Sequence, residues 1–191
     1  HGGGPQATAL SRRLGQEPTI VAGRRVTDES ALEVAKMVYA GSLNVNLLSA
    51  LREHEMQAVG LSGVDADLLT ARRRPPVKVV DDAGVTREVD YGHVGDIDRV
   101  DPRVLETLLG NRFVPVIASL AGDADGDVYN VNADTVAESL AVALKAQKLL
   151  FLTGAPGVLR DRNDPSSLVT FADPDDLEGL MAQGSIAGGM R

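Results

Sequence analysis

Tyr129-Asn130-Val131-Asn132-Ala133-Asp134 sets three polar side chains at alternate positions where a strand gives way to a helix. In an open α/β sheet, ligands gather at the carboxyl ends of strands, where such a transition lies. Asn130 offers both a donor and an acceptor, and Asp134 a fixed negative charge. The same residues also suit plain capping, with Asn132 as the cap and Asp134 favouring the helix start. The local sequence leaves both readings open.

Outward from this segment, strands and helices alternate. Asn132 or Ala133 opens a helix to about Ala146. The apolar run Leu149 to Thr153 reads as a strand, followed by a loop from Gly154 to Gly157. Asp173 to Met181 reads as a last helix. Upstream, Phe113 to Ala118 is a strand, with Pro115 pointing to an edge or a bulge. Asp101-Pro102 starts a helix to Leu109. Val77 to Val80 and Val85 to Tyr91 form a hairpin around the turn 81–84. Ala58 to Leu61 is a buried strand. The triplet Arg72-Arg73-Arg74 before Pro75-Pro76 reads as an exposed loop. Thr27 is placed to cap one long amphipathic helix, in which Leu32, Ala35, Tyr39, Leu43, Leu47 and Leu51 recur every three or four residues down to about His54. Pro5 to Leu14 makes a short helix, and Thr19 to Ala22 a short strand or loop. This alternation predicts a three-layer α/β/α sandwich with a mainly parallel open sheet.

Composition narrows the function. The 191 residues hold 19 Lys and Arg against 27 Asp and Glu, a net charge of −8, which argues against a broad nucleic-acid face. No apolar run nears the ~20 residues of a membrane span. Without Cys and with three His, disulfides, thiolate nucleophiles and His-rich metal sites are not expected; no metal ligand is assigned. The chain opens on His1-Gly2-Gly3-Gly4 without an initiator Met and closes on Gly188-Gly189-Met190-Arg191, which reads as an internal piece of a longer protein.

Gly2-Gly3-Gly4 before a helix has the form of a backbone anion site, since glycine lets the chain approach a phosphate and free amides point at it. It equally fits a tight turn needing positive φ. A loose G-x-G-x-x-A dinucleotide pattern also matches, with Arg24 or Arg25 available to a 2′-phosphate. Arg25, just before a helix start, can hold a carboxylate through two parallel hydrogen bonds or simply be a solvated charge. No G-x-x-x-x-G-K-[ST] loop occurs.

Together the segments resemble the acetylglutamate kinase family. His1 to Gln6, Arg25 to Asp28, Leu32 to Val34, Met37 to Tyr39, Ala58 to Gly63, Gly92 to Asp96, Phe113 to Ile117, Tyr129 to Asp134, Pro156 to Leu159 and Gly188 to Met190 carry the resemblance in order over the whole chain. It implies the amino-acid kinase fold and transfer of the ATP γ-phosphoryl group, with Mg²⁺, to the side-chain carboxylate of N-acetyl-L-glutamate in arginine biosynthesis. By the same resemblance, Gly3 and Gly4 contact the acylated amino acid and the transferring group. Arg25 holds the α-carboxylate, Asn130 binds the acetylamino acid and Asp134 orients catalytic lysines. Gly154, Ala155, Pro156, Gly157, Val158 and Leu159, with Ser185, Ile186 and Ala187, line the nucleotide site. The family usually has an acidic or amide residue where this chain has Gly154. Residues 1–150 would bind the acid, and residues 151–191 would begin the nucleotide-binding part. The family's two catalytic lysines fall before His1 and beyond Arg191, so residues 1–191 alone are expected to show little or no kinase activity. The resemblance also implies a cytoplasmic homo-oligomer, a dimer or a hexamer, without nucleic-acid or membrane partners. A kinase of another acidic amino acid such as aminoadipate, or a non-catalytic binding module of the same fold, is the alternative.

Overall fold

The computed structural model describes residues 1–80, 86–154, 157–161 and 164–182. They fall into two compact units, residues 1–149 and 150–191.

In the first unit, α1 (Gly4–Arg13) starts with Pro5 in its first turn, where the missing N–H costs nothing. A tight antiparallel hairpin joins β1 (Ile20–Val21) to β2 (Arg24–Arg25) through Ala22 and Gly23, both at positive φ. Next comes α2 (Glu29–Ala35). Its cap is Asp28, whose carboxylate accepts from Ala31 N at 2.8 Å. Thr27, expected as the cap, is fully buried instead. The single long helix expected from Asp28 to His54 is three pieces: α2, a π-helical stretch Lys36–Leu43, and α3 (Asn44–Glu53). Gly41 leaves the helical region (φ −103°, ψ −108°), so the winding widens while the three-to-four spacing of apolar residues persists.

The strands follow as β3 (Ala58–Ser62), β4 (Leu69–Arg73), β5 (Val77–Val80), β6 (Thr86–Val89) and β7 (Gly95–Val100). Then come α4 (Arg103–Gly110), β8 (Val114–Ala118), β9 (Leu120–Gly122), β10 (Val128–Asn130) and α5 (Ala133–Ala143). β3 and β8 pair in parallel from Ala58↔Val114 to Ser62↔Ala118. β4 runs antiparallel to β7 and parallel to β9, and β10 folds back antiparallel on β9. β5 and β6 make the expected hairpin, whose turn 81–84 lies outside the described residues. The α/β sandwich is thus built on mixed ladders, the antiparallel ones including the short hairpins that two neighbouring strands can form without a crossover.

Side-chain alternation along β9 shows the layering. Ala121 packs with Leu69, Leu105, Val131, Val136 and Leu140. Its neighbour Leu120 packs with Ala7, Val34, Val38 and Tyr39 on the opposite face. Strands therefore lie between α4 and α5 on one side and α1, α2 and the π-helical stretch on the other.

Arg72, Arg73 and Arg74 are not a loop. The first two end β4, and all three pair with acids: Arg72 with Asp98, Arg73 with Asp90 at 2.8 Å and Arg74 with Asp96 at 2.6 Å. The partners lie 17 to 26 residues away, which is why a local reading misses them. Leu149 to Thr153, expected as a strand, is not one, and Leu150 and Leu152 are 80% and 97% exposed. An apolar run becomes a strand only where a ladder takes up its backbone groups, and the described residues supply none to this run. In the second unit, Leu159 bridges Leu168, Pro165–Ser167 forms a 3₁₀ turn, and α6 (Pro174–Ala182) buries Leu180.

The Asp28 cap gives the first prediction. Hydrogen bonds from Ala31 N and Ser30 hold its carboxyl below the ordinary 3.8. A depressed carboxyl pKa stabilises the fold above its unfolded value, and that contribution is lost as pH falls through the folded value. Asp28→Ala should cost about 1 kcal/mol at neutral pH, with the difference from wild type shrinking in acid; urea melts at pH 7 and pH 3 measure both.

Candidate functional site

Gly3 caps α1 at φ 175° and ψ 26°, and none of the three opening glycines sits in the left-handed region. The turn therefore needs glycine for space and not for handedness. A Cβ on Gly3 would lie 2.7 and 2.8 Å from the Tyr39 ring and 2.9 Å from Leu43. The π-helical stretch thus forms the floor under the opening turn. Gly2 meets the start of α5, where its Cβ would lie 3.3 Å from that of Ala133. Two helix N-termini converge here, each presenting the positive end of its dipole.

Arg25 is half-buried against the same turn. Its guanidinium donates to Gly4 O at 3.2 Å and to the Thr8 hydroxyl. Its charge also reaches Tyr39: burial raises the phenol pKa and Arg25 opposes that rise. Two residues on, buried Thr27 forms a parallel bridge with Gly92. Thr27 N donates to Tyr91 O, and His93 N to Thr27 O at 2.7 Å. Gly92 sits at φ +72°, and a Cβ there would come within 2.4 Å of Thr27 O. Only glycine fits this crossing.

Asn130, at the end of β10, donates from Nδ2 to Thr27 Oγ1 at 3.2 Å, and its N–H bonds His93 O. Tyr129 points the other way and donates to Asp123 at 2.6 Å, which pushes its phenol up to about 12. Asn132 caps α5, accepting from Asp134 N at 2.8 Å and Thr135 N at 3.0 Å. The capping reading therefore holds for Asn132. Asp134 is exposed beside the cap.

These contacts close a ring: Gly4 to Arg25, Arg25 along the chain to Thr27, Thr27 to Asn130, Asn130 along the chain to Ala133, and Ala133 back to Gly2. The structure thus brings Gly3, Gly4, Arg25, Asn130 and Asp134 into one neighbourhood. Arg25 spends donors on Gly4 and Thr8, so it is not a free surface charge. Such a ring offers backbone amides, a guanidinium and a carboxamide to an anionic, polar ligand, with one carboxylate at its edge. Sequence reasoning missed Thr8 and Tyr39. A hydroxyl one turn into α1 facing Arg25 leaves no signature, and Tyr39 reads as an ordinary helix residue.

The nucleotide-site candidates belong to the second unit. Gly154 is exposed. Gly157 sits at φ +141°, Val158 O accepts from Val169 N, and Leu159 bridges Leu168. Ala155, Pro156, Ser185, Ile186 and Ala187 lie outside the described residues.

The sequence pattern of the amino acid kinase family matches residues 1–191. The chain belongs to the amino acid kinase family. It is 55% identical over its whole length to an acetylglutamate kinase of Myxococcus xanthus, and 43% identical to one of Methanothermobacter thermautotrophicus. It spans only 62% and 65% of those relatives' lengths. Among solved structures, smu.665 of Streptococcus mutans superposes with a TM-score of 0.82 at 27% identity, covering 100% of this chain and 71% of that one. An N-acetylglutamate synthase of Neisseria gonorrhoeae, solved with coenzyme A and N-acetyl-glutamate, matches with a TM-score of 0.66 at 28% identity, over 88% of this chain and 35% of that one.

The floor under Gly3 is directly testable. Gly3→Ala should destabilise the protein by about 2 kcal/mol, a typical overpacking cost. The cost should fall when Tyr39→Val removes the ring. A double-mutant cycle in urea measures the coupling.

Proposed function

We propose that the full-length protein is an acetylglutamate kinase, moving the γ-phosphoryl group of ATP to the side-chain carboxylate of N-acetyl-L-glutamate. The observation that carries this reading is the whole-chain 55% identity to an acetylglutamate kinase. The N-acetyl-glutamate named for the Neisseria synthase structure supports the same choice of acid.

The reaction joins two anions, so positioning and charge neutralisation supply most of the acceleration. The substrate carboxylate is already a nucleophile and needs no strong base. Its oxygen bonds the γ-phosphorus as the bond to the ADP oxygen breaks, leaving ADP and an acyl phosphate. In this chain Arg25 holds the α-carboxylate, and Asn130 holds the acetylamino group region. The Gly3 and Gly4 amides face the transferring oxygens, where hydrogen bonds strengthen as charge spreads. Asp134 serves as the anchor for the family's lysines, which would come from outside residues 1–191. Gly154 to Leu159 and Ser185 to Ala187 are assigned to ATP. Mg²⁺ would neutralise charge on the nucleotide's phosphates; the described residues gather no cluster of His, Asp and Glu suited to a metal, so none is assigned to it. A cytoplasmic homo-oligomer, a dimer or a hexamer, belongs to the same proposal and rests on the resemblance. No helix among the described residues is long and apolar enough to cross a membrane.

ADP release by the full-length protein, assayed with acetylglutamate, glutamate and aminoadipate, tests the reading. Acetylglutamate should give the highest kcat/KM, and Arg25→Lys, which loses the planar fork, should lower it about 10- to 100-fold. Turnover confined to another acid, or none with any acid, would overturn it. Residues 1–191 alone should show little or no turnover.

A further inference from the structure

Asn44 is a buried polar residue that the contact ring does not include. Its side chain is 4% exposed, at the first position of α3, directly after the π-helical stretch. Its Nδ2 donates to Val116 O on β8 at 3.0 Å and lies 3.1 Å from His1 Nε2. Its Oδ1 occupies the space over Gly60, where a Cβ would come within 2.0 Å. His1 is the residue that leads into the opening glycine turn, and its Nδ1 lies 2.9 Å from Gly2 O.

The proton positions follow from these partners. Val116 O can only accept, so the amide nitrogen must face it, which fixes the orientation of the Asn44 side chain. The second proton on Nδ2 then points at His1 Nε2, which must be bare to accept it. Gly2 O, also an acceptor, requires the ring proton on Nδ1. One arrangement satisfies all four atoms: a neutral imidazole protonated at Nδ1.

The winding explains why Asn44 reaches this place. In an α-helix each residue advances about 100°, so position 44 would stand about 140° around from position 39. The i→i+5 winding of a π-helix draws them back onto one side. Tyr39 and Leu43 therefore pack on Gly3 while Asn44 reaches His1, two residues earlier in the same turn.

We propose that Asn44 is a positioning residue for the phosphoryl-transfer turn. By holding His1 as the Nδ1–H tautomer and pinning it to β8, it sets where the Gly3 and Gly4 amides stand. This rests on the kinase reading for its catalytic consequence, but the proton arrangement stands apart from it. Ring-nitrogen NMR of the labelled full-length protein at neutral pH needs no substrate. It should find His1 Nε2 bare and Nδ1 protonated; a proton on Nε2 overturns the proposal. Asn44→Asp keeps the shape but removes both donors. It should protonate the His1 ring at both nitrogens. It should also lower kcat, on the order of 10²-fold for a displaced reacting group, with KM for ATP unchanged. A folded Asn44→Asp protein with wild-type kcat overturns the proposal, as does one whose ring keeps the wild-type tautomer. Absent turnover in wild type would sink the acetylglutamate reading instead, and the ring spectra of wild type and Asn44→Asp would still decide this one.

Discussion

The contact on which the rest of the site depends is the seat of Gly3 on the Tyr39 ring and Leu43. It brings the start of α1 onto the π-helical stretch with no room for a side chain. That contact fixes α1, and α1 in turn carries Gly4 O and the Thr8 hydroxyl to Arg25. The same turn meets Ala133 at the start of α5. A single steric constraint thus sets the relation of two helix N-termini and one guanidinium. Dipole ends aimed together are worth little in water, but they gain strength where burial lowers the effective dielectric.

The second constraint is the Gly92–Thr27 crossing. Thr27 carries a backbone bridge on one side and the Asn130 side chain on the other. With Thr27 buried, Asn130 has a fixed partner, and its remaining acceptor and donor are held in one orientation. The sheet supplies the rest: β10 delivers Asn130 and then, through Val131, hands the chain to the cap of α5. Pre-set polar groups of this kind need no rearrangement as charge develops, which is the main way a site without a covalent helper accelerates a transfer.

The sequence was readable where local chemistry decides. Pro5, Asn132 and the apolar run of Val114 to Ala118 announce their elements, and Gly3, Gly4, Arg25 and Asn130 stand out by residue type. It was unreadable where distance decides. Arg72 to Arg74 look like a loop until Asp98, Asp90 and Asp96 arrive from β7 and the segment before it. The π-helical stretch keeps the three-to-four apolar spacing of an α-helix, so nothing local marks it, and Tyr39 and Asn44 pass for routine helix positions. Thr27 and Asp28 are both good caps by type, and only the pairing of Thr27 with Gly92 leaves the cap to Asp28. Leu149 to Thr153 has strand composition, but composition does not provide a ladder.

The central claim is that residues from three distant stretches serve one anion. Amide and guanidinium NMR of the full-length protein during titration with N-acetyl-L-glutamate tests it most directly. The account predicts that Gly3, Gly4, the Arg25 guanidinium and the Asn130 side-chain amide shift together along one saturation curve. Shifts confined to a different surface, or separate curves for Arg25 and Asn130, would contradict it.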